Sequence, residues 1–166
     1  MSAGAGTVTA HVERLSHCLE ELKPLFDPHW QEIAEDRERV PLAPQYGTYI
    51  DREALGEVLC VVMRDRGQVI GYFVGFVCPG LHYRFTLQLT MDIFWLHPDY
   101  RAGDSLSAVE RDMLCMQLFE TVLAEAKRRG VQRVFFGTKM SHEAGELFRK
   151  LGLREVEHFY SGWIGE

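Results

Sequence analysis

The chain has 166 residues, 46% of them hydrophobic and 25% charged, with 24 acidic against 18 basic side chains and a formal net charge of -6. That length and apolar content suit one globular domain with a sizeable core and exclude a disordered chain. The acidic balance argues against tight sequence-independent binding to nucleic acid, which needs a basic surface.

The four cysteines, Cys18, Cys60, Cys78 and Cys115, are widely spaced and form no C-x-x-C pair. With no signal peptide in view, reduced and mostly buried thiols are expected rather than disulfides or a zinc site. Apolar runs are broken by charge or glycine well short of a membrane span. The expectation is a cytoplasmic protein with no metal and no membrane partner.

In chain order, "MSAGAGTVTA" is small and polar and reads as a flexible N-terminus over residues 1–10, ahead of one domain over residues 11–166. Leu15, Cys18, Leu19 and Leu22 keep helical spacing, and Pro24 is expected to end or kink that helix. A short helix is expected around Trp30 to Arg37, then a loop carrying Pro41 and Pro44. From Val58 the period changes. "VLCVVMRD" and "QVIGYFVGFVCP" are β-rich and joined through Asp65, Arg66 and Gly67, which suggest a tight hairpin. "FTLQLTMDIFWLH" gives a third strand. Val109, Met113, Met116, Phe119, Leu123 and Ala126 then recur at three- and four-residue steps, the stripe of an amphipathic helix closed by "KRRG" with Gly130 as its C-cap. "VQRVFFGT" reads as a strand. "SHEAGELFRKLG" reads as a helix with Ser141 at its N-cap, and "REVEHFYSGWI" as a closing strand. The order makes a single α/β domain with a mixed central β-sheet flanked by helices.

The junction "HPDYRAGDSLS" between the third strand and the long helix has the order needed for anion binding. A helix N-terminus presents unpaired backbone N–H groups and a positive dipole end to a phosphate. Gly103 allows close backbone approach, Arg101 can add a charge-assisted contact, and Ser105 or Ser107 can supply a hydroxyl.

The element order with this junction resembles the GCN5-related N-acetyltransferase family. "HPDYRAG" resembles the family's strand-end Pro-x-x-Arg and glycine-rich pyrophosphate loop. "SHEAGELFRKLGL" resembles its Asn-x-x-Ala-x-x-x-Tyr-x-x-x-Gly-Phe segment. "LFDPHWQEIA", "VIGYFVGFV" and "LHYR" look like a subgroup common in bacteriophage genomes, which would place the protein in the host cytoplasm. The resemblance implies acetyl transfer from acetyl-CoA to a primary amine of a small molecule or modified nucleobase. It also implies a coenzyme site built from Phe94, Leu96, His97, Arg101, Ala102, Gly103, Ser105 and Ser107, the strand residues lying where the family's strand splays to pair with the pantetheine arm. A homodimer is left open. Two departures stand out. The family's Arg-x-x-Gly-x-Gly/Ala spacing is not met, and Phe148 occupies the position of its general-acid tyrosine.

Phenylalanine has no proton to give, so the leaving thiolate needs another donor. Tyr160 on the closing strand is the first candidate and His142 the second, against the plainer readings of a strand anchor and an exposed first-turn residue. By the period of two, Asp92, Phe94 and Leu96 share one strand face. A carboxylate within "LTMDIFWL" is costly unless paired, solvated or used, so Asp92 either handles the amine proton or is a structural carboxylate at a bulge or sheet edge. His29 with Trp30, and His82 with Tyr83, are candidate acceptor-pocket residues, and Trp30, Tyr46 and Tyr49 suggest an aromatic-lined cleft. A protein amine acetyltransferase and a non-catalytic coenzyme-binding module are the competing readings.

Overall fold

The computed structural model describes residues 8–103 and 106–165. Along them run β1 (Val8–Val12), α1 (Leu15–Ile33), α2 (Tyr46–Ala54), β2 (Val58–Asp65), β3 (Gln68–Gly80), β4 (Tyr83–Leu96), α3 (Pro98–Arg101), α4 (Ala108–Arg128), β5 (Arg133–Phe135) and α5 (Gly145–Lys150). The strands lie in chain order, β1 to β4 antiparallel and β5 parallel to β4.

The sheet is buried on both faces because its central strands are apolar at successive positions. In β2, Leu59, Val61 and Met63 enter one core with Leu114, Leu118, Phe119 and Val122 of α4. The intervening Val58, Cys60 and Val62 enter another with Leu15, Cys18, Leu19 and Leu22 of α1. The result is three layers, with α1 and α2 on one face and α4 and α5 on the other. The β2–β3 turn places Arg66 at φ 50° and Gly67 at φ 84°, the left-handed pair of a tight hairpin. Among the described residues no helix is long and apolar enough to cross a membrane.

Several local expectations need correction. Residues 8–10, read as part of the loose terminus, belong to β1, which pairs with β2 from Val8↔Asp65 to Val12↔Val61. The expected break at Pro24 and the separate helix to Arg37 are replaced by one helix to Ile33. Pro24 and Pro28 lie four apart on its exposed side, where water can serve the carbonyls their missing N–H groups leave unpaired. On α4 the buried stripe is Leu114, Leu118, Val122 and Ala126, while Val109 and Met113 are exposed. Both stripes fit helical steps and share Ala126, with Phe119 of the expected stripe buried as well, so spacing alone does not choose between them. Ser141 does not cap α5, whose N-cap is Ala144. "REVEHFYSGWI" carries no strand; its residues lie exposed along α5's exit.

Candidate active site

The site is made by two irregularities of β4. The first is a bulge. Val74 pairs with Ile93 and Gly75 with Met91, so Asp92 is the extra residue. The bulge reverses the alternation. Leu87, Leu89 and Met91 face the α4 side before it, and Phe94 and Leu96 face that side after it. Asp92 therefore does not share the face of Phe94 and Leu96, contrary to what strict alternation predicts. Its carboxylate accepts the hydroxyl hydrogen bond of Tyr49 from α2. Burial and then the Asp92 carboxylate push the Tyr49 phenol well above its ordinary pKa.

The second irregularity is a parting of strands. β5 pairs with β4 only from Gln88↔Arg133 to Thr90↔Phe135. Beyond Thr90 the two diverge, because Phe136 turns into the aromatic cluster of Phe73, Phe119 and Phe148. The edge of β4 from Met91 to Leu96 is left facing a cleft of about 670 Å³. Across it stand Gly137, Thr138, Lys139, His142 and Glu143, with Leu147 and Lys150 of α5. Phe148 is 7% exposed and packs against Phe94, Phe119 and Phe136, the packing role its lack of a hydroxyl implies.

On the other face of the sheet lies a second cavity of about 350 Å³, walled by α1, the 34–44 loop and α2. His29, Ile33, Ile93 and Lys139 line both spaces. His29 is 5% exposed, with its Nδ1 2.7 Å from the Tyr72 hydroxyl and its ring stacked on Trp95. Burial, then the charges of Arg101 and His142, lower its pKa to about 4, so the imidazole is neutral at pH 7.

The predicted residues divide. Asp92, Phe94, Leu96, Arg101 and His142 line the cleft; His97, Ala102, Gly103 and Ser107 do not. Ser105 lies outside the described residues. Arg101 donates from Nε to the Leu96 carbonyl at 2.7 Å and pairs through Nη2 with Glu32 of α1 at 2.5 Å. His97 caps the single-turn α3, accepting from the Asp99 N–H. Ser107 is held in a capping box with Glu110 at the start of α4. Gly103 is required by crowding, since a Cβ there would stand 2.6 Å from the Asp99 carbonyl. The strand thus runs through α3 before reaching the long helix, and not directly into it. Tyr160 is 95% exposed and lines neither space, whereas its neighbour Phe159 lines the cleft. His82 and Tyr83 sit at the exposed β3–β4 tip, away from both.

Sequence reasoning missed Glu32, the partner of Arg101; Tyr72, the partner of His29; and the Lys150–Asp112 pair at 2.6 Å across the cleft wall. Lys150 lies one position beyond the motif-bearing "ELFR", and a cation there was the available signal. No group of three metal-ligating side chains occurs among the described residues.

No protein-family model matches the sequence, and no curated protein matches it. In structure the chain is similar to the ribosomal-protein-alanine N-acetyltransferase of Brucella melitensis biovar Abortus 2308, at TM-score 0.68 and 15% identity over 96% of this chain and 99% of that one. It is similar to an aminoglycoside acetyltransferase from an uncultured soil metagenomic sample, at TM-score 0.65 and 14% identity over 95% and 99%. It is also similar to glucosamine-6-phosphate N-acetyltransferase from Arabidopsis thaliana, at TM-score 0.66 and 9% identity over 96% and 99%. With its parted parallel strand pair and these likenesses along its length, the chain has the GCN5-related N-acetyltransferase fold.

Proposed function

We propose that this protein transfers an acetyl group from acetyl-CoA to the primary amine of a small molecule. The observation that carries the reading is the cleft beside the free edge of β4, which shares His29, Ile33, Ile93 and Lys139 with a second cavity next to the Asp92 bulge. A strand edge offers backbone N–H and C=O groups to an amide-bearing chain such as pantetheine. Met91 to Leu96 fit that arm. The diphosphate is less well provided for. Arg101, Lys139 and Lys150 line the cleft, but so do Glu32, Asp92, Asp112, Glu143 and Glu146, and Arg101 and Lys150 are already paired.

Bound acetyl-CoA supplies an activated thioester; the chain supplies placement and proton handling. Asp92 stands at the bulge with Tyr49 fixing its carboxylate, where it can hold the acceptor nitrogen and route its proton to water. His142 lies in the cleft and is the donor kept for the departing sulfur. Tyr160, solvent-exposed, is not kept. A thiol has an ordinary pKa of ~8.5, so its thiolate leaves with little help, and the donor matters less than the positioning of the amine.

The small-molecule acceptor draws on the likeness to the metagenomic aminoglycoside enzyme and the plant glucosamine-6-phosphate enzyme. A nucleobase-linked amine and the phage subgroup rest on sequence motifs alone. A coenzyme-binding module without catalysis is the second reading, favoured by Phe148, which brings no hydroxyl to the cleft.

Gly137 gives the decisive variant. A Cβ there meets nothing within 4 Å, so Gly137→Leu is sterically tolerated and intrudes on the cleft. Calorimetry should show acetyl-CoA binding to the parent and roughly tenfold weaker binding, about 1.4 kcal/mol, to the variant. Thiol release with an amine panel then separates catalysis from binding alone. No binding to the parent, or equal binding by a folded Gly137→Leu, removes the reading.

A further inference from the structure

We infer that the acceptor is an amine carried on an apolar, aryl or branched-alkyl body, seated in the 350 Å³ cavity between α1, the 34–44 loop and α2. The inference rests on the acetyl-transfer reading and narrows its substrate class. The cavity's size lies at the small end of ligand sites, which span roughly 300–1,000 Å³. Its walls come from Phe26, Trp30, Leu42, Tyr46 and Ile93, and among the described residues no carboxylate lines it. A polycationic body placed there would lose water without gaining a counter-charge, which is costly. An aromatic or aliphatic body loses water favourably and meets ring faces.

The cavity is also placed to deliver an amine. Where it meets the cleft, the shared residues are His29, Ile33, Ile93 and Lys139. His29 is buried and bonded to Tyr72, and Lys139 pairs with Glu35 at 3.6 Å. The burial at His29 and the Lys139 cation at that seam both disfavour a second ammonium relative to the neutral amine, and the neutral amine is the nucleophile. Asp92 lies just past the seam, on the cleft side. The amine nitrogen bonds to the thioester carbonyl carbon, the carbon–sulfur bond breaks with its electron pair going to sulfur, and the nitrogen's proton passes to solvent.

The test compares 2-phenylethylamine, kanamycin and an alanine-terminated peptide as acceptors, by thiol release and by calorimetry. Ala34, just after α1, and Ala43, shortly before α2, line the cavity and do not line the cleft; Ala43→Trp and Ala34→Phe fill it. The expected result is a kcat/KM for 2-phenylethylamine roughly tenfold or more above the other two. Each filling variant should raise its KM by about tenfold, with acetyl-CoA affinity unchanged, as a lost apolar contact predicts. Preference for kanamycin or the peptide overturns the inference while leaving acetyl transfer intact. If acetyl-CoA does not bind, the acetyl-transfer reading fails. Calorimetry with 2-phenylethylamine still decides the cavity, and no binding, or binding indifferent to both variants, overturns the inference.

Discussion

His29 shows how one buried side chain links stability to pH. Its pKa is lowered to about 4 from an ordinary 6.5. Between those values the unfolded chain holds a proton that the folded chain refuses, so folding stability is complete above pH ~6.5 and falls as the pH drops toward ~4. The slope approaches ~1.4 kcal/mol per pH unit, a total on the order of 3 kcal/mol. The charged neighbours are Arg101 of α3 and His142 of the loop before α5, with the Tyr72 hydroxyl of β3 in hydrogen-bond contact. Urea unfolding of His29→Gln from pH ~7 to ~4.5 should lose most of this slope; an unchanged slope would assign it to other groups. At the bulge, Asp92→Asn preserves shape and removes the charge. Its kcat should fall by roughly 10²-fold or more if the carboxylate handles the amine proton. Tyr49→Phe keeps the carboxylate and should cost less than about tenfold. Similar losses in both would make Asp92 a mere partner of Tyr49.

At the scale of elements, α4 illustrates a division between capping and binding. The Ser107 hydroxyl is engaged twice with Glu110, accepting from its N–H at 3.2 Å and donating to its carboxylate at 2.7 Å. Ser107→Ala should therefore cost about 1 kcal/mol of stability and lower Tm by roughly 2–4 °C in a chain of this size. Acetyl-CoA affinity should stay within about twofold of the parent's; a larger loss would return Ser107 to the coenzyme site. The capping box is written in the sequence as Ser107-x-x-Glu110, a local signal. The hairpin turn, β2 to β4 and the ending of α4 were legible for the same reason: each depends on residues adjacent in the chain. The bulge at Asp92 was legible only as one of the alternatives an isolated carboxylate leaves open, and nothing local chose it. It arises from the register of β4 against β3 across a sheet, and it moved Asp92 off the face that alternation gave it. The fates of Arg101 and Gly103 were hidden likewise, since Glu32 lies on a distant helix and the Asp99 carbonyl approaches only once α3 has formed. Tyr160 was placed by a strand that did not form.

The molecule as a whole is acidic, at -6, and so is the lining of its cleft, with Arg101, Lys139 and Lys150 against Glu32, Asp92, Asp112, Glu143 and Glu146. A polyanionic coenzyme therefore approaches against a weak repulsive field. Binding to a cationic cradle weakens with salt, and here the sign should reverse. Acetyl-CoA affinity should rise modestly as ionic strength goes from ~0.02 to ~0.2 M, because screening removes repulsion at distances beyond about 10 Å. Asp112→Asn, which removes one carboxylate and frees Lys150, should tighten binding at low salt by a few-fold and flatten the salt dependence. Calorimetry across the salt series checks both, and affinity that falls steeply with salt would reveal a cationic cradle.

The two cavities are written in different stretches of the chain. Most of the apolar wall comes from residues before β2, and most of the cleft from β4 onward; they share one bulged strand and a few seam residues. On the proposed reading, mutations in the first third retune which amine enters without disturbing the donor end. A fold divided in this way can diversify its acceptors while its donor stays the same.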